Sequence, residues 1–278
     1  MISRITYRRL VDRLARILIH LGSALALLPL ALVLLYVLIN GLPALALPSF
    51  LTNPEHPTGI PGGGVANALL GTVIMVGLAS LLALPVGVIA GSQLAAWGRG
   101  RLADLIRLCT DALVAAPSIA IGLFVYALLV APSHAFSGGA GAVALALLML
   151  PLIVRTTETA VAQVEGELRQ AGLALGLPGW QVSLRLVLPA ALPGVLTGAM
   201  LAIARAAGES APLLFTSLGN RLLNFDPGQP MSALPLVVYH DALTPYPDLQ
   251  QTAWGAALVL ILFVLAVNLL TRLLMRHR

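Results

Sequence analysis

Six apolar runs dominate this chain, each close to the roughly 20 residues a helix needs to cross the ~30 Å hydrocarbon core of a bilayer. They lie near residues 17–39, 67–97, 109–131, 140–162, 194–219 and 251–275. Inside lipid the backbone must satisfy its own N–H and C=O groups, so runs of this kind are helices. The composition agrees. Hydrophobic residues make up 59% of the chain, charged residues only 10%, and the mean hydropathy is +0.94. A soluble domain carries about a quarter charged residues. With less than half of that, the outer surface must itself be apolar. The expected fold class is therefore all-α, a polytopic membrane bundle of about six transmembrane helices, and the length suits one bundle rather than two domains.

All sixteen basic residues are arginine, and lysine is absent. This excludes a Walker lysine, a lysine Schiff base and a lysine general base, so the chain cannot hydrolyse ATP in the P-loop manner by itself. The arginines cluster. Arg4, Arg8, Arg9, Arg13 and Arg16 precede the first run; Arg99, Arg101 and Arg107 follow the second. Arg169 and Arg185 follow the fourth, and Arg272, Arg276 and Arg278 close the chain. In a six-span topology these thirteen share one side, and the other side holds only Arg221. The positive-inside rule makes the first side cytoplasmic and puts both termini there. The pI near 10.1 is thus a topological signal and not a nucleic-acid footprint.

Ala44-Leu45-Ala46 resembles a signal-peptide cleavage site, but the apolar run before it is about twice the usual 7–15 residues, so the first helix is expected to stay uncleaved. The segments 41–66 and 220–250 are rich in proline, with Gly62-Gly63-Gly64 in the first, and are expected to form irregular outer caps. The one cysteine, Cys109, excludes an intramolecular disulfide and a cysteine metal cluster. The histidines (His20, His56, His134, His240 and His277) are scattered, with no H-E-x-x-H, and Ser210 lacks a G-x-S-x-G setting. An intramembrane hydrolase is therefore a poor fit. A secondary transporter would show inverted repeats and discontinuous mid-chain helices, which the sequence does not display.

The inner connection between the fourth and fifth runs, about 163–193, is unusually long. Glu165–Leu175 reads as a helix, Gly176-Leu177-Pro178-Gly179 as a turn, and Trp180–Leu188 as a second short helix. Gly176 suits a left-handed helix end and Pro178 forbids continuation. Leu168, Leu173, Leu175 and Trp180 supply apolar surface for a docking partner, or for lying on the membrane. The spacing resembles the EAA loop of ABC importer permeases: Glu-Ala-Ala, three residues, Gly, nine residues, Ile-x-Leu-Pro. Here Gln170-Ala171-Gly172, Gly176 and Leu186-Val187-Leu188-Pro189 occupy those positions. Gln replaces the leading Glu, and Gly replaces the second Ala. The resemblance implies a coupling helix that seats in a groove of an ATP-binding subunit.

Two further segments, LVAAPSIAIGLFVYALLV (113–130) and AIARAAGESAPLLFT (202–216), resemble PstA-type phosphate permeases, as does the second apolar run. The likeness covers the chain from about Gly41 onward, and the Arg-Ala-x-Gly-Glu-Ser-Ala-Pro stretch at 205–212 is its most distinctive part. It implies a type I ABC importer permease fold at 17–278, preceded by a basic cytoplasmic segment at 1–16, in a bacterial inner membrane. It also implies the partners: a second PstC-like permease, two ATP-binding subunits and an extracytoplasmic phosphate-binding protein. ATP and Mg would be bound by those ATPase partners, with no cofactor in this chain. Permeases for other oxyanions, such as sulfate, phosphonate or phosphite, are the nearest alternative.

Four ionisable residues fall within the runs: Arg155 and Glu158, Arg205 and Glu209. An arginine at the bilayer centre costs about 2.5–3.5 kcal/mol on insertion scales. Spacings of three and four put each Arg and Glu on a shared helix face, so each pair can neutralise itself. Two roles are open for them, lining the path of an anion or joining helices. Asp111 and His20 lie nearer the ends of the runs.

Overall fold

The computed structural model describes residues 4–57, 59–60, 62–98, 100–164 and 166–276, so Arg99, Glu165, His277 and Arg278 lie outside it. Among the described residues the regular structure is helical, apart from one isolated bridge between Leu218 and Met231. Helix α1 spans Arg4–Leu45, α2 Ala66–Trp97, α3 Arg101–Ala115, α4 Ser118–Ser133 and α5 Gly138–Ala162. Then follow α6 Gly166–Ala174, α7 Gly179–Ala207, α8 Ala211–Thr216, α9 Leu234–Ala242 and α10 Pro247–Arg276. Helices α1, α2, α5, α7 and α10 are each long and apolar enough to cross a membrane, and α3 with α4 makes a sixth, broken span.

Helix α5 is the most buried of these and stands at the centre. It packs along α2 through glycines that let the backbones meet. A Cβ on Gly87 would lie 2.6 Å from Ile153, and one on Gly91 would lie 2.5 Å from the Val154 carbonyl. On its other side, Gly194 and Gly198 of α7 abut Ala160 and Thr156. Small residues at such crossings are how membrane helices gain close contact without a hydrophobic driving force. The core between α2, α5 and α8 is built on Met75, Leu145, Met149, Ile153 and Leu213.

Helix α1, at 42 residues, is about 63 Å long, twice the hydrocarbon thickness. It runs through the 16/17 boundary without interruption. Every residue from Val11 to Tyr36 is exposed. Among the described residues the helix meets the bundle near its far end, where Gly41 and Ala44 face α10 and Tyr36 packs edge-on against Trp254 at 5.1 Å.

Two spans depart from the expected runs. The third is no single helix: α3 and α4 meet at a 106° bend. Ala116 is held extended (ψ 134°) ahead of Pro117, as the residue before a proline tends to be. The fifth begins at Gly179 rather than near 194 and ends at Ala207 rather than 219. At its start, the expected second short helix of the docking loop is continuous with the span through a π-turn at Val182–Val187, just ahead of Pro189. At its end, Pro212 has no N–H and its ring would meet the carbonyl of Gly208, so the helix stops and restarts as α8.

The two proline-rich segments, 46–65 and 217–233, are irregular, as the prolines require, but they are tied down. The first N–H groups of α5 are satisfied by the cap and the second of these segments: Ala140 donates to Ser137 Oγ at 3.1 Å, Gly138 to the Gln229 carbonyl at 2.9 Å and Gly139 to the Pro227 carbonyl at 2.7 Å. Glu55 Oε1 accepts from Asn67 at 2.8 Å and from Ser232 at 2.9 Å, which fastens both caps to the top of α2.

Candidate functional site

The four intramembrane charges form two separate groups. Arg155 and Glu158 sit on α5, with Glu158 one turn from the end that leads into the docking loop. Arg155 Nη1 lies 3.3 Å from Glu158 Oε2. The same guanidinium reaches across to α3, where Nε donates to Asp111 Oδ1 at 3.0 Å and Nη2 meets the same oxygen. Glu158 is reached in turn by Arg107 of α3, whose Nε and Nη2 both lie 2.8 Å from Oε1. Asp104 adds a looser contact to Arg107 at 3.5 Å. Two arginines and three carboxylates therefore clamp α3 against α5, with Glu158 at the centre and only 15% exposed.

Reading along the sequence missed Arg107 and Asp111 as members of this group. Arg107 counted only as a topological charge and Asp111 as a span end. A signal was present: 104, 107 and 111 share one face of a helix by i, i+3 and i+7 spacing.

Arg205 and Glu209 form the second group, and it is open. Their Nε and Oε1 stand 3.7 Å apart, too far for a hydrogen bond. The Arg205 side chain is 47% exposed. Glu209 is not on the fifth helix but in the three-residue break between α7 and α8. The pair therefore straddles a helix end. Gly198 touches Thr156, the neighbour of Arg155, and Arg205 lies seven residues further along α7, about 10 Å up the axis. The two groups stand at different depths, and among the described residues no ion pair joins them.

The connection between α5 and α7 is closed by its own hydrogen bonds and packing. Helix α6 ends in a left-handed glycine, Gly176 at φ 81°. The Gly176 N–H donates to Leu173 at 3.0 Å and the Leu177 N–H to Gly172 at 3.3 Å, the paired bonds of a Schellman cap. Gly172 is buried against the start of α7, where a Cβ would lie 2.7 Å from Leu186 and 3.0 Å from Val182. Glycine lets the two segments meet closely here, and the alanine of the family pattern would need only the flexible end of Leu186 and a Val182 methyl to give way. Gln170 and Ala171 are exposed on the same helix. Arg169 donates to the Ala96 carbonyl at 3.5 Å, joining the loop to the end of α2. Leu173, Trp180 and Leu175 project outward, Leu175 at 82% exposure, whereas Leu168 turns in to line a cleft beneath α7. Leu186, Leu188 and Pro189 belong to the first turns of α7, so the loop is continuous with the fifth span.

Residues 83–277 match the family described as binding-protein-dependent transport system inner membrane component. The chain is 42% identical over 276 residues to the phosphate transport system permease protein PstA of Haemophilus influenzae, covering 99% of this chain and 97% of that one. It is 40% identical to the PstA of Yersinia pestis, over 96% of this chain and 90% of that one. The PstA 1 protein of Mycobacterium tuberculosis is 37% identical over 94% and 86%. Among solved structures, an inward-facing MetNI methionine ABC transporter shares the fold with a TM-score of 0.62 at 19% identity, over 77% of this chain and 94% of that one. Likeness that runs from the first span through the docking loop to the last leaves one assignment: the chain belongs to the PstA family of phosphate transport system permease proteins.

Proposed function

We propose that this chain forms half of the pore of an ATP-driven importer that brings inorganic phosphate into the bacterial cytoplasm. The near-full-length likeness to phosphate permeases carries this reading, and the exposed, glycine-capped docking loop supports it. The permease unit is 17–278, with 1–16 as its basic cytoplasmic lead and both termini inside. A second, PstC-like permease completes the pore. Two ATP-binding subunits seat the loops, and an extracytoplasmic binding protein delivers phosphate. The chain performs no covalent chemistry; ATP and its Mg are bound and consumed in the partner subunits.

Movement of the ATPase subunits enters through Leu173, Leu175 and Trp180. Because Gly172 is wedged against Val182 and Leu186, the loop cannot slide independently of α7. Helix α7 runs unbroken to Ala207 and carries that displacement to the break that holds Glu209. Arg205 is the residue assigned to the anion. Its pairing to Glu209 is loose and its fork is accessible, which suits a phosphate that presents several acceptor oxygens. Glu209 weakens the hold so that phosphate leaves, and it accepts a hydrogen bond from a protonated phosphate that sulfate cannot offer. Arg155 and Glu158 stand at the inner end of the same path, their charges neutralised by Asp111 and Arg107.

The test is ATP-driven uptake of labelled phosphate into proteoliposomes that contain the assembled complex, with binding protein and excess sulfate outside. Uptake that requires ATP and ignores sulfate is expected. A well-assembled complex that moves sulfate and not phosphate overturns the substrate.

A further inference from the structure

The outer face contains a cavity of about 300 Å³ between the first outer cap, the end of α9 and the start of α10. Its ionisable wall residues are Glu55, His56, Arg221, Asp241 and Asp248, with Gln251 and Thr252 beside them; its apolar wall includes Leu47 and Phe50. Three carboxylates thus share the space with one guanidinium. Two of the three have partners. Glu55 holds Asn67 and Ser232, and Asp248 Oδ2 accepts from the Gly59 N–H at 3.4 Å. Asp241 has none. The residue is 9% exposed and lines the cavity, and among the described residues its carboxylate accepts no hydrogen bond and joins no ion pair, facing only the cavity's solvent. His56 Nδ1 is also buried without a partner.

Glu55 and Asp248 already have donors, so the largely buried Asp241 carboxylate, which reaches only the solvent of the cavity, is the one left to take a donor from outside. That donor is not a metal ion, since among the described residues no three of His, Cys, Asp and Glu are placed to hold one. The acids are spread around the cavity instead of converging on a point, with Leu47 and Phe50 beside them. That arrangement fits a cation on an aliphatic stem, whose methylenes lie on the apolar wall while its head reaches the acids.

We propose that this chamber receives a lysine or arginine side chain of the extracytoplasmic binding protein when it docks, with Asp241 as its main counter-charge. This rests on the importer reading above. Burial, then the neighbouring Glu55, push the Asp241 carboxyl up to about 6, with Asp248 adding to the rise and Arg221 opposing it. Docking should therefore weaken as the outside pH falls below that value.

The experiment measures binding-protein affinity by interferometry on the complete complex in nanodiscs. Asp241→Asn is expected to weaken docking about tenfold, the effect of one lost charge pair, while Asp241→Glu retains most of the affinity. Asp241→Lys should abolish docking, and reversing one basic residue on the binding protein should restore it. Affinity within about twofold of wild type for both Asp241→Asn and Asp241→Ala overturns the proposal. So does millimolar L-arginine raising the melting temperature of the wild-type complex alone, but not of Asp241→Asn, while docking is unchanged; the chamber would then hold a free organic cation. A wild-type complex that neither docks a binding protein nor takes up phosphate fails at the importer reading itself, and the proposal falls with it.

Discussion

Glu158→Gln tests the clamp between α3 and α5. The substitution keeps the volume and removes the charge on which two arginines converge. Arg107 would keep only Asp104, whose side chain is 74% exposed, and Arg155 would keep only Asp111. Hydrogen bonds to charged groups contribute about 1.5–3 kcal/mol each, and removing one partner of a fully buried pair costs about 3–5 kcal/mol. Both arginines are about a third exposed, so solvent screens part of this, and glutamine still offers one acceptor. The expected loss is about 2 kcal/mol. For a chain of this size that corresponds to a melting temperature about 4–8 °C lower. The assay is thermal unfolding of the purified complex in nanodiscs, with Asp104→Asn as the internal control, expected within about 0.5 kcal/mol of wild type. If the two variants shift the midpoint equally, or if Arg107→Ala and Glu158→Gln prove additive in a double-mutant cycle, the ionic clamp does not hold these helices together.

The other predictions concern the loop, the outer face and the break. Gly172→Ala should be nearly tolerated, because Leu186 can give way at its flexible end; Gly172→Leu should cost about 2–3 kcal/mol and cut transport per ATP hydrolysed, read by uptake and ATPase assays on one preparation. The Asp241 carboxyl is raised from 3.8 to about 6, so its protonated form is favoured on folding. Its stabilising contribution is present below pH 4 and is lost as pH rises through about 6, an effect of up to about 3 kcal/mol. Asp241→Asn should therefore be more stable than wild type above pH 6 and flatten the melting profile between pH 4 and 6; an unchanged profile would refute the assignment. Arg205→Gln in a normally assembled complex should lower phosphate uptake by at least about tenfold, and unchanged uptake would remove Arg205 from the anion path.

The membrane-spanning architecture was legible in the residues because its yardstick, the thickness of the bilayer, lies outside the protein. Apolar runs near 20 residues and arginines gathered on one side identify the spans whatever the helices later touch. The helix–turn–helix form of the connection between α5 and α7 was legible for a similar reason. A glycine that must take a left-handed conformation, followed by a proline that cannot continue a helix, acts within a few bonds. Gly176 duly stands at φ 81°.

What the tertiary structure alone decided involves partners far apart in the chain. Asp111 and Arg155 are 44 residues apart, and Glu55 and Ser232 are 177 apart. Hydropathy and periodicity describe one segment at a time and say which face a charge occupies, not what stands opposite. The fifth span moved by some fifteen residues at its start, since packing against α5 and a π-turn carried the helix through Pro189 and Pro193, which local rules treat as breaks. Whether Arg155 is paired, Arg205 open and Asp241 left without a donor depends on how closely the glycine-lined faces let the helices approach, a property of the assembled bundle and of no single stretch of sequence.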